Sequence, residues 1–206
     1  MKTWDQFLRD VLPHVPGCPE PVAEHAVLRA AQEFFETTRV WKLWIPDITT
    51  VAEGTEYAMF LEPKSTLVRL ERATLDGRPI RVRTVDELPD DWTTYPQTLA
   101  TGVHTSDRKT LTLLPAQAAG AVLKVEASMK PSNAATGVAD DIFEQYVERI
   151  AAGAIASLKA HDGKTYSDSV GAAAWRTTFE GHMGVTELQR HRGYSAARPR
   201  RPVKTF

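Results

Sequence analysis

The first forty residues place their apolar side chains at helical spacing. A short amphipathic helix is predicted over residues 3–12 by five apolar positions at i, i+3, i+4, i+7 and i+8: Trp4, Phe7, Leu8, Val11 and Leu12. Thr3 and Gln6 have the spacing of a capping box at its start. A second helix is predicted from about residue 21 to 38, with an inward face of Ala23, Val27, Ala30, Ala31 and Phe34.

From Asp47 the apolar period shortens to two, which indicates strands. The predicted strands are Thr49–Val51, Tyr57–Leu61, Thr66–Leu75, Arg78–Thr84, Leu99–His104, Thr110–Leu114 and Ala121–Met129. Asp76-Gly77 predicts a two-residue hairpin, because glycine accepts the positive φ that a type I′ turn needs. Exposed turns are predicted at residues 84–88 and 106–109.

Helical spacing returns near residue 140. Asp140 or Asp141 is predicted to cap a helix whose shared face is Ile142, Phe143, Tyr146, Val147, Ile150, Ala154 and Leu158. The small residues 151–154 in its middle leave room for a neighbouring helix to approach closely. A last helix is predicted over residues 168–192, with an inward face of Val170, Ala173, Ala174, Phe179 and Met183.

This order of elements predicts an α+β fold. Residues 1–46 and 132–192 are expected to form a helical bundle, 47–131 a β-rich insertion lobe, and 193–206 an extended basic C-terminal arm. The helices at the two ends can pack together only if the β-rich segment loops out between them.

Charge is distributed unevenly along the 206 residues. Residues 188–206 contain six Lys or Arg and no Asp or Glu. Of the 25 basic residues, 19 therefore remain in residues 1–187 against all 26 acidic ones, so the body carries a formal −7 and the tail +6. With 42% hydrophobic and 25% charged residues, the body has the composition of an ordinary folded protein.

The basic tail predicts a binding segment. Tyr194 and Phe206 are costly to leave in water, while Pro199 and Pro202 stiffen the chain and reduce the entropy lost on docking. Arginine suits a partner's carboxylates or phosphates because its planar fork bonds bidentately. The residues predicted to bind are Arg190, Arg192, Tyr194, Arg198, Pro199, Arg200, Arg201, Lys204 and Phe206. A disordered, solubilising tail is the alternative.

Sequence motifs of enzymes are missing. There is no Gly-x-Ser-x-Gly, no P-loop, no GxGxxG after a strand and no HExxH, and no two of the six histidines are spaced i, i+4. The single cysteine, Cys18, excludes an intrachain disulfide. His161-Asp162 and Asp140-Asp141 are interpreted as helix-end residues. We expect no catalytic residue, metal or cofactor.

No membrane association is expected either, because the longest apolar stretch, residues 150–158, is too short to span a bilayer. The N-terminus has no apolar region typical of a signal peptide, and these features fit a protein that is assembled in a reducing cytoplasm.

Five arginines mark the predicted hairpin: Arg69, Arg72, Arg78, Arg81 and Arg83. Alternation places Arg81 and Arg83 on one face of their strand, and the turn register brings Arg72 near them. Interspersed acidic residues favour a salt-bridged surface or a subunit or tail interface. A nucleic-acid surface is the alternative, although no aromatic residues alternate with these arginines as base-stacking platforms do.

The layout resembles the head-to-tail adaptor, or connector, proteins of tailed bacteriophages, of the tail tubular protein A type. The resemblance is carried by Trp4-x-x-Phe7-Leu8, the Ala30-x-x-x-Phe34-Phe35 helix leading to Trp41, the strand pair around Leu75-Asp76-Gly77-Arg78-Pro79-Ile80, the Ile150–Leu158 helix and the Arg-Pro-Arg-Arg ending. It covers nearly the whole chain as a pattern of elements.

The resemblance implies a structural virion protein, not an enzyme. Adaptors of this kind form a dodecameric ring beneath the portal protein, dock on the portal through a C-terminal arm and surround the passage for genome DNA. By resemblance, Arg190 to Phe206 would bind the portal, and the β-rich lobe would face tail or nozzle proteins or neighbouring subunits. The protein would be monomeric in solution and reside at the head–tail junction of the virion.

Two other hypotheses remain from the sequence. The first is a nucleic-acid-binding protein that uses the basic arm and the hairpin arginines, whose affinity would fall steeply with salt. The second is a small hydrolase with a site assembled from scattered residues.

Overall fold

The computed structural model describes residues 1–87 and 101–192. The fold is mixed α+β, and the described part holds four α-helices, an eight-stranded curled sheet and a two-stranded sheet. It divides into two compact units. The helical unit comprises Met1–Val40 and the described residues from Gly137 onward, and the β unit comprises Trp41–Thr136.

The N-terminal segment is a composite of short elements and not the single helix predicted over residues 3–12. Strand β1, Lys2–Thr3, is followed by a 3-10 helix at Trp4–Phe7, helix α1 at Leu8–Val11 and a second 3-10 helix at Leu12–His14. The predicted capping box is wrong, because the Thr3 side chain makes no cap hydrogen bond. The backbone of Thr3 instead pairs with strand β10, Gly137–Val138.

Helix α2, Glu20–Thr38, matches its prediction closely. The five residues predicted to face inward are all buried, and Phe34 and Phe35 are completely enclosed. The helix ends where Arg39 adopts a left-handed conformation with φ 52°, and the Thr38 hydroxyl donates to the Phe34 carbonyl at 2.7 Å. These contacts close the last turn without a glycine.

Helix α3 comprises Asp140–Lys159, so both aspartates lie inside the helix and neither is the residue that precedes it. The cap position is Ala139, so the predicted aspartate cap is wrong. Asp140 and Asp141 lie in the first turn, where the helix dipole favours negative charge. Asp140 also pairs with the Met1 amino group at 2.7 Å.

The face predicted for α3 lies inward for the most part. Five of its seven members are buried, while Tyr146 and Val147 are half-buried.

Helix α4, Ser169–Arg192, has the predicted length, and its predicted inward face is correct in part. Phe179 and Met183 are buried as predicted, together with Ala172 and Thr186. Val170, Ala173 and Ala174, which were also predicted to face inward, are exposed, so the buried face is rotated from the predicted one at the start of the helix.

Gly153 in the middle of α3 explains this rotation. A Cβ atom at residue 153 would lie 2.8 Å from the Phe179 ring, so the aromatic side chain occupies the space that glycine leaves. Phe179 is completely buried and joins an aromatic cluster, with its ring centroid 6.3 Å from that of Phe34.

The β unit is one sheet of eight strands. They are β2 (Lys42–Trp44), β3 (Ile48–Thr49), β4 (Glu56–Ala58), β5 (Ser65–Leu75), β6 (Arg78–Val82), β7 (Gly102–His104), β8 (Thr110–Leu114) and β9 (Val122–Pro131). The order is β2-β9-β5-β6-β7-β8-β4, and β3 also pairs with β9. Pairing is antiparallel except between β6 and β7.

The predicted strands are found, with shifted ends. β8 has the predicted bounds, whereas the strands at 49–51, 57–61 and 78–84 are shorter than predicted. Residues 99 and 100 of the predicted strand Leu99–His104 lie outside the described residues. Strands β1, β2 and β10 were not predicted, because two or three residues are too few to show a period.

Two β-bulges organise the longest strand pair. The inward residues of β5 are Leu67, Leu70 and Ala73, spaced by three, while those of β9 keep the ordinary spacing of two. The register shifts between Leu67 and Arg69 and between Leu70 and Arg72, so one residue is extra at each shift. The bulges therefore keep the apolar side chains of β5 on the core face.

The turns of the β unit follow the predicted chemistry. Asp76 and Gly77 join β5 to β6 with φ of 49° and 76°, which confirms the type I′ hairpin. A 3-10 turn at Val85–Glu87 agrees with the predicted turn at 84–88, whose last residue lies outside the described part.

In the loop between β7 and β8, Asp107 accepts hydrogen bonds from the amides of Thr110 and Lys109. These bonds lower the pKa of Asp107 to about 2.

Two glycine-to-alanine changes test how α4 is held. Gly153→Ala places a methyl group against the buried Phe179 ring, which costs about 1–3 kcal/mol and exceeds the helix-propensity gain of at most about 1 kcal/mol. Gly181→Ala, in α4, has no atom within 4 Å of the new Cβ and gains the propensity term alone. Urea unfolding should therefore show Gly153→Ala less stable and Gly181→Ala more stable than the unsubstituted protein. Equal stabilities for the two variants would contradict the Gly153–Phe179 contact.

Candidate interaction surfaces

The five hairpin arginines do not form one surface. Arg72 is bound to Glu126 on β9, with Nε to Oε2 at 2.7 Å and NH2 to Oε1 at 3.4 Å. The bulge at residue 71 sets this pair, because it places Arg72 directly opposite Glu126. The Glu126 side chain is largely enclosed, so Arg72 neutralises a carboxylate that has little access to water.

The other four arginines differ in their exposure and in their neighbours. Arg78 and Arg81 are exposed, whereas Arg83 is half-buried and its side chain lies against Gly102 of β7. Arg69 and Arg83 line a cavity of about 610 Å³ together with Glu71 and Arg108. Its charged lining residues are thus three arginines and one glutamate, so both signs are present with a net positive charge.

The predicted binding residues at the C-terminus fall mostly outside the described part of the chain. Arg190 and Arg192 belong to the last turn of α4, where the Arg190 guanidinium lies 2.9 Å from the His191 ring nitrogen Nε2. The seven that lie beyond the described residues are Tyr194, Arg198, Pro199, Arg200, Arg201, Lys204 and Phe206.

Cys18 has the surroundings of a structural residue. Its side chain is buried next to Tyr166, and burial raises the pKa of the thiol despite the Tyr166 hydrogen bond. A raised pKa makes a thiol a poor nucleophile near neutral pH.

Two histidines that are distant in sequence come together. His14 and His182 line a cavity of about 260 Å³ in the helical unit with Asp10, Glu148 and Trp175. Within residues 1–87 and 101–192, no group of three or more His, Cys, Asp or Glu side chains is arranged to hold a metal ion.

Helix α4 exposes a face of small and aliphatic residues that includes Val170 and Ala174, two of the five residues predicted to face inward. Six exposed residues follow one another at intervals of four and three along this face: Val170, Ala174, Thr177, Gly181, Gly184 and Leu188. This spacing repeats every seven residues, as in a helix that packs against a partner. We call these six residues the α4 outer face.

The β unit has an apolar surface of its own at the β2 edge of the sheet. Trp44 and Phe60 are 54% and 73% exposed. They border a groove of about 520 Å³, which we call the Trp44–Phe60 groove. Its remaining lining residues are Leu43, Ile45, Pro46, Leu61, Glu62, Pro63 and Met129. The exposed tryptophan in the apolar stretch Trp41–Ile45 was the sequence signal for this surface.

None of the helices in the described residues combines the length and the hydrophobicity that crossing a membrane requires.

The sequence model of one protein family, described as SU10 adaptor protein, matches residues 3–203 of the chain. Comparison with curated proteins finds no match. The family match covers both units and extends into the basic C-terminal segment.

The Arg72–Glu126 pair gives a test with an internal control. Arg72→Ala leaves an enclosed carboxylate without its partner, which should destabilise the protein by about 1–3 kcal/mol in urea unfolding. Arg78→Ala removes an exposed charge from the same hairpin and should change stability by less than about 0.5 kcal/mol. Equal effects of the two substitutions would show that the pair contributes nothing specific.

Proposed function

Because the chain belongs to the SU10 adaptor protein family, we propose that it joins the head of a bacteriophage to its tail by docking under the portal protein as a ring. The family consists of structural phage adaptors and not of enzymes, and adaptors of this kind interact with portal and tail components. The ring, the arm contact and an organisation like that of tail tubular protein A are the finer parts of the proposal.

The observation that carries the proposal is the extent of the family match. It runs from residue 3 to residue 203 and so includes most of the tail, with all of its six basic residues except Lys204. A tail that served solubility alone would not be expected to fall within the family's sequence model. The match therefore supports a role for the basic segment in the adaptor's own work.

The charge distribution supports an arm that binds another protein. Residues 188–206 carry a formal +6, whereas residues 1–187 carry −7. Because the acidic body would repel a nucleic acid that the arm attracts, the charges favour a protein as the partner of the arm. Paired arginines such as Arg200 and Arg201 can hold carboxylates of a portal subunit bidentately. We propose that Arg190 to Phe206 form this portal-binding arm and that the two folded units carry it.

Ring formation makes a weak arm contact durable. Each arm binds with modest affinity, but several linked copies raise the effective concentration of every remaining arm once one has docked. The acidic body also suits a channel for genome DNA, because a basic channel wall would retard the passing phosphates. In this proposal the protein is part of the virion and contacts DNA without reading its sequence.

Deletion of residues 193–206 tests the arm. The shortened protein should fold with unchanged thermal stability, because the described elements end at Arg192, but it should no longer attach to capsids that carry the portal. Sedimentation with portal-bearing capsids measures attachment. A second variant with Arg198, Arg200 and Arg201 changed to Gln should attach at least about tenfold more weakly, since charge-assisted bonds are lost.

The matched control changes three exposed lysines outside the proposed surfaces to Gln, Lys64, Lys109 and Lys164, and should attach normally in the same assay. Full attachment of the shortened protein would refute the arm. Binding of the intact protein to free duplex DNA, with an affinity that falls steeply with salt, would instead favour the nucleic-acid-binding alternative.

A further inference from the structure

The α4 outer face contains two glycines, Gly181 and Gly184, that the packing of the described residues does not require. Gly181 and Gly184 lie at exposed positions in the middle of α4, where glycine stabilises a helix less than alanine does. A Cβ at either residue would have no neighbouring atom within 4 Å, so nothing in the described chain requires glycine there. Gly153, by contrast, is required by Phe179. The space above Gly181 and Gly184 is therefore open within the described part of the chain.

Large apolar side chains accompany these glycines. Val170, Val185 and Leu188 are 80%, 49% and 56% exposed on α4. Val170 and Leu188 are the two ends of the α4 outer face, and Val185 lies beside it. Exposed apolar residues that stand singly on a surface need no explanation, but apolar residues at both ends of a face of small residues leave that face open to a partner.

The Trp44–Phe60 groove has complementary properties. It presents two large aromatic side chains, which supply most contact energy at protein interfaces, whereas the α4 outer face presents empty positions between aliphatic residues. The charged residue in the groove is Glu62, and the last turn of α4 carries Arg190, His191 and Arg192. The aromatic side chains of one surface thus have room at the glycines of the other, and the charges of the two are opposite.

We propose that the α4 outer face of one copy packs against the Trp44–Phe60 groove of the next copy in the ring. A closed ring of identical subunits is built from heterologous contacts, in which each copy contributes two different surfaces that fit one another. This proposal rests on the ring of the proposed function and names the residues that join its neighbours. Trp44 and Phe60 fill the space above Gly181 and Gly184, and Glu62 meets the basic end of α4.

The size of the contact explains when the ring forms. An aromatic side chain buries about 150–250 Å², so two aromatics and three aliphatic residues fall short of the roughly 800 Å² per partner of a stable interface. A single contact is consequently weak, and copies remain separate until the portal gathers them.

The decisive variant is Gly181→Glu with Gly184→Glu. Because both positions are open, the isolated variant should unfold at the same temperature as the unsubstituted protein within a few degrees. Bound copies per portal-bearing capsid should fall at least about tenfold, because two carboxylates meet the aromatic groove. Trp44→Ala with Phe60→Ala should lose binding in the same way. The control, Ser157→Glu, adds charge to an exposed position on α3 and should bind like the unsubstituted protein.

Cross-linking identifies the partner surface. In a Cys18→Ala background, Gly184→Cys and Phe60→Cys are introduced in separate proteins, mixed, assembled on portal-bearing capsids and treated with a short bis-maleimide. The proposal predicts a dimer band that needs both cysteines and grows into a ladder when one chain carries both. Cross-linking of Gly184→Cys to itself, or no cross-link in capsids that carry full rings, would overturn it.

The outcomes separate this inference from the proposed function. If the unsubstituted protein does not attach to portal-bearing capsids, the adaptor role itself fails. If it attaches in full number and the Gly181→Glu, Gly184→Glu variant does so too, only the subunit contact is wrong. A variant that forms complete rings but no longer recruits tail proteins would assign the α4 outer face to a tail partner and would also overturn the inference.

Discussion

The contact between Phe179 and Gly153 determines which surface the helical unit shows to its surroundings. Phe179 can enter α3 only because residue 153 has no side chain, and its entry fixes the rotation of α4 about its own axis. That rotation buries Met183 and Thr186 and leaves Val170, Gly181 and Leu188 exposed. The α4 outer face is therefore left uncovered by the described residues. The same glycine that completes the core thus defines the face that we assign to a neighbouring subunit.

The β unit also buries a core of its own and leaves apolar residues exposed. Its bulged strand β5 keeps Leu67, Leu70 and Ala73 on the core face, so the sheet closes over its own apolar side chains. Trp44 and Phe60 are left outside this core, at the β2 edge. Each unit therefore buries a core of its own and still exposes apolar residues. Such a division suits a protein that is folded alone and assembles later, because assembly surfaces that are too apolar would aggregate first.

Elements with long periodic patterns or strong turn signals could be predicted from the sequence. The predictions were wrong where a contact between distant residues determines the local structure. Helices α2 and α3 and the Asp76-Gly77 hairpin follow from local spacing and from glycine's tolerance of positive φ. The phase of α4 followed in part: Phe179 and Met183 are buried as predicted, whereas Val170, Ala173 and Ala174 are exposed because the contact of Phe179 with Gly153 determines how the helix is rotated. The period of three in β5 hid its bulges, and the backbone of Thr3 pairs with the distant Gly137. Of the candidate site, the arginines were evident from the sequence, while the apolar surfaces followed only from the three-dimensional structure.

An electron cryomicroscopy reconstruction of a head-to-tail junction that contains this protein tests the central claim most directly. The account predicts that α4 of each copy lies against Trp44 and Phe60 of the adjacent copy, and that residues 190–206 run along portal subunits. A ring in which the α4 outer face is bare, or a C-terminal segment that touches no portal subunit, would contradict it.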